Sequence, residues 1–162
     1  MANIITVAGL ATIKVDTGAA NALETLGFTK DGAHIRVIPY MYDVPTDENG
    51  GDAGPPTDIQ AMGAIAQITL HFTKYDESIM DKVVCIQYGG TAGTIATPGS
   101  LMFGDTKSYR LLIHSVSFPR NFLRVVFREP FEVNKGTKYS EHILIGTAYK
   151  NASNILWNTT TS

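Results

Sequence analysis

The sequence predicts a mainly β protein, a β-sandwich or distorted β-barrel, with one short α-helix near residues 76–87. Three observations carry this. Apolar and polar residues alternate through "AIAQITLHFTKYD" (64–76), β-branched and aromatic residues crowd short runs in the C-terminal half, and Gly, Pro and Asn clusters separate those runs. A chain of 162 residues has the usual size of one domain and buries a core without disulfides or metal, so 1–162 reads as a single β-rich domain.

In chain order, "IITVAGLATIKVD" (4–16) supplies one or two strands, and "NALETLGF" (21–28) reads as a helical turn. "HIRVIPYMY" (34–42) alternates, with Ile35, Val37 and Met41 on one face and His34, Arg36, Ile38, Tyr40 and Tyr42 on the other, a strand whose second face is also partly covered. Pro39 lacks an N–H and predicts an edge, a bulge or a break there. After the Gly/Pro stretch "DENGGDAGPPTDIQ" (47–60), Ala66, Ile68, Leu70 and Phe72 form the apolar side of the next strand, and Gln67, Thr69, His71 and Thr73 the polar side. From Asp76 to about Gln87, Ile79, Met80 and Val83 recur behind Asp76 and Glu77, the acids that suit a helix N-terminus. "GGTAGTIATPGSLMFGD" (89–105) reads as a long surface loop with room for one short strand. "SYRLLIHSVSF", "NFLRVVFREPFEV" and "HILIGTAYK" are strands, with "PRN" (119–121) and "NKGTKYS" (134–140) as turns.

Thirteen Lys and Arg against fifteen Asp and Glu leave a formal charge of −2, which argues against a nucleic-acid-binding surface. No apolar run approaches the roughly 18–20 residues of a membrane span, and the first residues lack a basic leader, so a soluble protein without membrane partners is expected. Sequons at Asn151 and Asn158 carry no weight without a secretory signal. The single Cys85 excludes an internal disulfide and lies in "VVCIQY", where a thiol reads as a small buried hydrophobe.

Residues 47–58 fail as a calcium loop: Gly51 stands where the fifth position needs an oxygen ligand, Asp52 replaces the turn glycine, and Asp58 replaces the closing Glu. No Gly-Lys-Ser/Thr follows to make a phosphate loop. His34, His71, His114 and His142 are scattered among strands, and Ser100, Ser115 and Ser117 sit in no nucleophile-elbow pattern. No paired carboxylates stand out. The chain therefore offers no catalytic, cofactor-binding or metal residue to nominate, and no cofactor is expected. In "SFPRNFLRVVFREPF" (117–131), Arg120, Arg124 and Arg128 interleave with Phe118, Phe122, Phe127 and Phe131, types enriched at protein–protein interfaces.

Taken as a unit, "LETLGFTKDGAHIRVIPYMYDVPTDENGGDAGPPTDIQAMGAIAQITLHFTKYD" resembles small structural proteins of tailed-bacteriophage virions. The resemblance runs from Leu26–Gly32 through Ile35–Tyr42, Asp47–Pro56, Ala64–Thr73 and Asp76–Val84, and "NKGTKYSEHILIGTAYKNASNILWN" looks like the closing hairpin of such a subunit. It implies a jelly-roll or tail-tube-like fold, a non-enzymatic role and location in the virion. Within that world the leading expectation is a capsid decoration (cement) protein that contacts the major capsid protein and further copies of itself. It rests on the long Gly/Thr/Pro loop and apolar termini suited to draping over neighbours. The alternative is a tail-tube protein forming stacked rings; a β-sandwich enzyme or carbohydrate-binding module, for which Trp157 and the tyrosines would form the platform, stands behind both. The expected assembly contacts are Asp47, Glu48, Asn49, Asp52, Pro55 and Pro56 of the acidic connector, Ile95 and Pro98 of the later loop, and Arg120, Phe122 and Trp157.

Overall fold

The computed structural model describes residues 11–18, 22–84, 87–103, 107–115, 119–129 and 142–161. Its elements run β1 (Thr12–Asp16), β2 (Leu23–Val44), β3 (Asp58–Tyr75), α1 (Glu77–Val84), β4 (Tyr109–His114), β5 (Arg120–Val126), β6 (His142–Ala148) and β7 (Trp157–Asn158). Every ladder is antiparallel, in the order β4-β1-β2-β3-β6-β5, and β5 pairs back onto β4, so six strands close into a ring. The chain is thus mainly β with one helix, and of the two expected architectures it takes the distorted barrel. The β5–β6 seam carries Val125↔Ala148 and Val126↔Thr147, and β7 pairs further back along β5, at Asn121↔Asn158 and Phe122↔Trp157.

Period-two patterning builds the interior. Ala66, Ile68, Leu70 and Phe72 are fully buried while Gln67, Thr69 and His71 are not, as the alternation predicts. Ile13 and Val15 of β1, Leu111 and Ile113 of β4, Phe122 and Val125 of β5 and Leu144 and Ala148 of β6 meet them in one cluster. The helix follows directly from β3. Asp76 precedes it with its N–H bonded to the Leu26 carbonyl at 2.8 Å, and α1 lays Met80 and Val83, three apart on one face, into the same cluster. The Tyr109 hydroxyl donates to the Lys82 carbonyl at 2.9 Å and ties the helix to β4.

Several local readings are corrected. "NALETLGF" is not a helical turn: from Leu23 it is strand, because β1 pairs it through Lys14↔Thr25, Val15↔Glu24 and Asp16↔Leu23. At Pro39 the first of the expected alternatives holds: it lies opposite Ala64 where β2, among the described residues, has β3 alone as a ladder partner, so its missing N–H sits on an edge. Of the expected turn 119–121, Arg120 and Asn121 belong to β5. Described residues of the 89–105 loop carry turns and no strand. Cys85, Phe118, Phe131, Ser117 and the turn 134–140 lie outside the described residues.

Candidate assembly interface

The long hairpin β2–β3 passes through two surroundings. Pairing with β1 reaches Phe28 of β2, and pairing with β6 reaches Ala66 of β3. Beyond that, from Ile38↔Ile65 to Val44↔Asp58, the two strands pair only with each other among the described residues. Six residue steps of about 3.3 Å make this free arm roughly 20 Å long before its connector begins. Three register shifts mark the hairpin: β3 carries an extra residue at Thr73, β2 carries surplus residues at Lys30–Gly32, and within the arm β3 carries an extra residue at Met62, next to Gly63. Gly63 has φ +129, a conformation that side-chain-bearing residues rarely adopt, and so makes this bulge possible.

Among the described residues the arm's large apolar side chains are mostly exposed. Tyr40, Met41 and Tyr42 alternate sides of the strand yet are 50%, 61% and 56% exposed, and Ile59 and Met62 opposite are also exposed. The expectation of a partly covered second face fails for His34, Arg36, Tyr40 and Tyr42, which are exposed: among the described residues the ladders with β1 and β6 stop at Phe28 and Ala66, and only the cleft residues at the arm root come near it. Patterning reports which residues share a face, not whether anything packs on it.

At the tip, the connector is a shaped piece rather than a slack loop. Two short 3-10 turns, Asp47–Asn49 and Gly51–Ala53, follow one another. The Asn49 and Gly51 N–H groups donate to the Thr46 carbonyl at 3.1 and 3.0 Å, Thr57 N–H donates to the Val44 carbonyl at 3.0 Å, and Asn49 Nδ2 donates to the Thr57 hydroxyl at 3.0 Å. Gly54 is needed for close approach: a Cβ there would stand 1.6 Å from the Asn49 carbonyl oxygen. This fixed turn exposes Asp47, Glu48, Asn49, Asp52, Pro55 and Pro56, so six of the expected contacts do come together. With Asp43 and Asp58 the arm bears five acids, and residues 37–65 contain no Lys, Arg or His.

At the root of the arm lies a cleft of about 470 Å³ walled by Tyr40, Met62, Phe103 and Tyr149, with Arg124 and Lys150 beside them. Phe103 and Tyr149 pack with ring centroids 4.5 Å apart. Arg124 Nη1 donates to the Lys150 carbonyl at 3.2 Å, Lys150 Nζ to Asn154 Oδ1 at 2.7 Å, and Arg128 Nη1 to the Tyr149 hydroxyl at 3.3 Å. The 150–155 turn that carries Lys150 is organised by Asn151, whose Oδ1 accepts from the Ser153 and Ile155 N–H groups at 3.0 and 2.9 Å.

The remaining expected contacts scatter. Ile95 and Pro98 are exposed on the 89–105 loop, beside exposed Leu101. Arg120 is half-buried, with Nη1 donating to the Pro119 carbonyl at 3.1 Å. Phe122 is corrected: it is 0% exposed inside the barrel and is a core residue, not a contact. Trp157 borders it, ring centroids 6.1 Å apart, and keeps about a third of its surface in solvent. Tyr40, Met41, Tyr42, Ile59 and Met62 join the candidate surface beyond the expected contacts; their signal in the sequence is the run "YMY" facing the apolar residues of "IQAM" across a connector.

Two polar clusters elsewhere tie the barrel. The Asp16 carboxylate accepts the Gly18 N–H at 2.9 Å and bonds the Tyr88 hydroxyl, and burial, then the Asp16 charge, raises the Tyr88 pKa above its ordinary 10.0. His142 is buried against Tyr75, Nε2 sharing a hydrogen bond with the Tyr75 hydroxyl in an edge-on ring pair. Among the described residues no three His, Cys, Asp or Glu side chains come together as a metal site. No protein-family model matches the chain, and no curated protein sequence does.

Proposed function

We propose that this chain is a non-enzymatic structural subunit of a tailed-phage virion, and that its geometry suits a tube subunit, which joins copies of itself into rings, ahead of a capsid decoration protein. One observation carries the preference: the β2–β3 arm. A two-stranded ribbon is marginal on its own in water, and this one, among the described residues, has no further ladder partner on either edge and carries exposed apolar side chains on both faces. Such surface marks a place where protein packs. Further copies of the same chain supply that cover with no second component, by heterologous contacts that close into a ring. The virion setting comes from the resemblance in residues 23–76. Electron microscopy of purified protein across a concentration series tests it, with rings or short tubes expected; a monomer at every concentration sinks the tube reading.

The decoration reading keeps one observation of its own. Leu101 is 83% exposed, and with Ile95 and Phe103 it gives the 89–105 loop an apolar surface apart from the arm tip, suited to a different partner. There the subunit would bind only the assembled shell and stabilise it by mass action. Co-sedimentation with undecorated capsids, without self-assembly, would favour it.

A further inference from the structure

We infer that the acidic diproline tip of one copy docks into the aromatic, cationic cleft at the arm root of the next copy. The inference rests on the assembly reading above and names the two surfaces that meet.

Charge is divided unevenly between the arm and the rest of the molecule. Five of the chain's fifteen acids, Asp43, Asp47, Glu48, Asp52 and Asp58, lie exposed on the arm, and none of its thirteen bases does. The rest of the molecule therefore carries ten acids against thirteen bases. Arg124, Arg128 and Lys150 gather around Tyr149 at the root, with Glu129 the acid next to Arg128 in sequence. Arm and root are thus opposite in sign, in a protein whose net charge is only −2.

Shape and chemistry agree with charge. The tip displays Pro55 and Pro56 between Asp52 and Asp58, all exposed, and the self-bonded connector holds them in place, so little ordering entropy remains to be lost on docking. Proline rings bind aromatic-lined grooves, and carboxylates bind Arg and Lys at their rim. The cleft offers Tyr40, Phe103 and Tyr149 for the first and Arg124 and Lys150 for the second.

The tip does not serve its own cleft. Apart from the Met62 bulge, ladder pairing runs on from Tyr40↔Gly63 at the cleft wall to Val44↔Asp58, four residue steps of β2 that set the connector about 13 Å further out along a paired ribbon. Each copy consequently presents one tip and one cleft pointing to different neighbours. A contact of that kind is heterologous and propagates until it closes.

The test uses full-length protein and two variants with exposed substitutions: D47K/E48K/D52K at the tip, and R128E/K150E at the cleft. Circular dichroism and Tm establish that both fold. Sedimentation velocity should show each variant alone needing roughly tenfold or more concentration to assemble than the natural chain. Mixing them equimolar should restore assembly, since a reversed tip fits a reversed cleft and a natural tip fits a natural one. Carrying all five substitutions in one chain should restore it too. Assembly of the natural chain should weaken as salt rises from about 0.05 to 0.5 M.

Two results overturn the inference in distinguishable ways. If the natural chain forms rings or tubes and both variants do so equally well, the tip–cleft contact is wrong while the tube reading stands. If the natural chain is monomeric throughout, or if only capsids capture it, the tube reading and this contact fall together.

Discussion

Between Ala66 and Phe72, β3 buries every second side chain completely, whereas between Asp58 and Met62 the same strand buries none; β2 changes in the same way along its length. Backbone pairing is continuous through both halves, and apolar content is similar. What differs is the third strand. Among the described residues, β1 and β6 pair with the lower half and not with the upper one. A ladder alone therefore does not make a core: the lower half is held by area removed from water, and the upper half holds apolar area in reserve for another molecule.

Truncation inside the lower half should give the largest effect. Phe72→Ala is expected to cost about 3–5 kcal/mol in urea unfolding, because a closed barrel collapses poorly around a cavity. The matched change in the upper half, Met62→Ala, should stay within about 0.5 kcal/mol for the isolated subunit. A loss below roughly 1 kcal/mol at Phe72, or above it at Met62, would erase the distinction between the two halves.

Cutting the arm short tests the same division through assembly. Replacing Asp47–Pro56 by a two-residue Asn-Gly turn should leave barrel stability within about 1 kcal/mol, since loop length weighs on stability only logarithmically. Self-association, followed by sedimentation, should fall sharply. Unchanged association would make the connector a plain joint between two strands.

A milder perturbation separates connector shape from connector charge. Gly54→Ala places a Cβ against the Asn49 carbonyl and must open the 3-10 turns. Hydrogen exchange should speed up at Asn49, Gly51 and Thr57, whose N–H groups make the tying bonds, and should not change in β3 between Ala66 and Phe72. Faster exchange in the barrel would mean that arm and barrel open as one unit.

The two halves were unequally legible from sequence, for physical reasons. Alternation at Ala66–Phe72 announced a buried face, and Asp76 with Glu77 announced the helix, because both are local signals. The strand character of Leu23–Phe28 was hidden: it depends on pairing with a separate segment, Thr12–Asp16, and one supporting bond, Thr17 Oγ1 to Glu24 Oε2 at 2.6 Å, exists only once they pair. Barrel closure was likewise invisible, since the Val125↔Ala148 seam depends on pairing between distant segments. The connector acids were singled out correctly as an exposed group, but their opposite number was not. Arg124, Tyr149 and Lys150 come from two segments that β5–β6 pairing brings to the arm root, aided by the Tyr149 N–H bonded to the Arg124 carbonyl at 2.8 Å.

The smallest expected effect lies where the lower half of the hairpin hands over to the helix. Asp76 Oδ1 accepts from the Ser78 hydroxyl at 2.7 Å, the Ser78 N–H at 2.9 Å and the Ile79 N–H at 3.2 Å, the arrangement of a helix N-cap. The Ser78 hydroxyl, followed by the Ile79 N–H, holds its pKa below the ordinary 3.8, because those donors favour the charged carboxylate. A pKa lower in the folded chain than in the unfolded one means that the unfolded chain takes up protons first. The cap's contribution is therefore fully present above the ordinary value and is lost as pH falls through the folded one. Asp76→Ala should lower Tm slightly at pH 7, and the gap from the natural chain should narrow progressively below pH 3.8. The arm, which α1 does not support, should keep its hydrogen-exchange pattern in this variant. A Tm gap that stays constant down to the lowest pH at which the fold survives would show that the carboxylate acts by shape alone and not by charge.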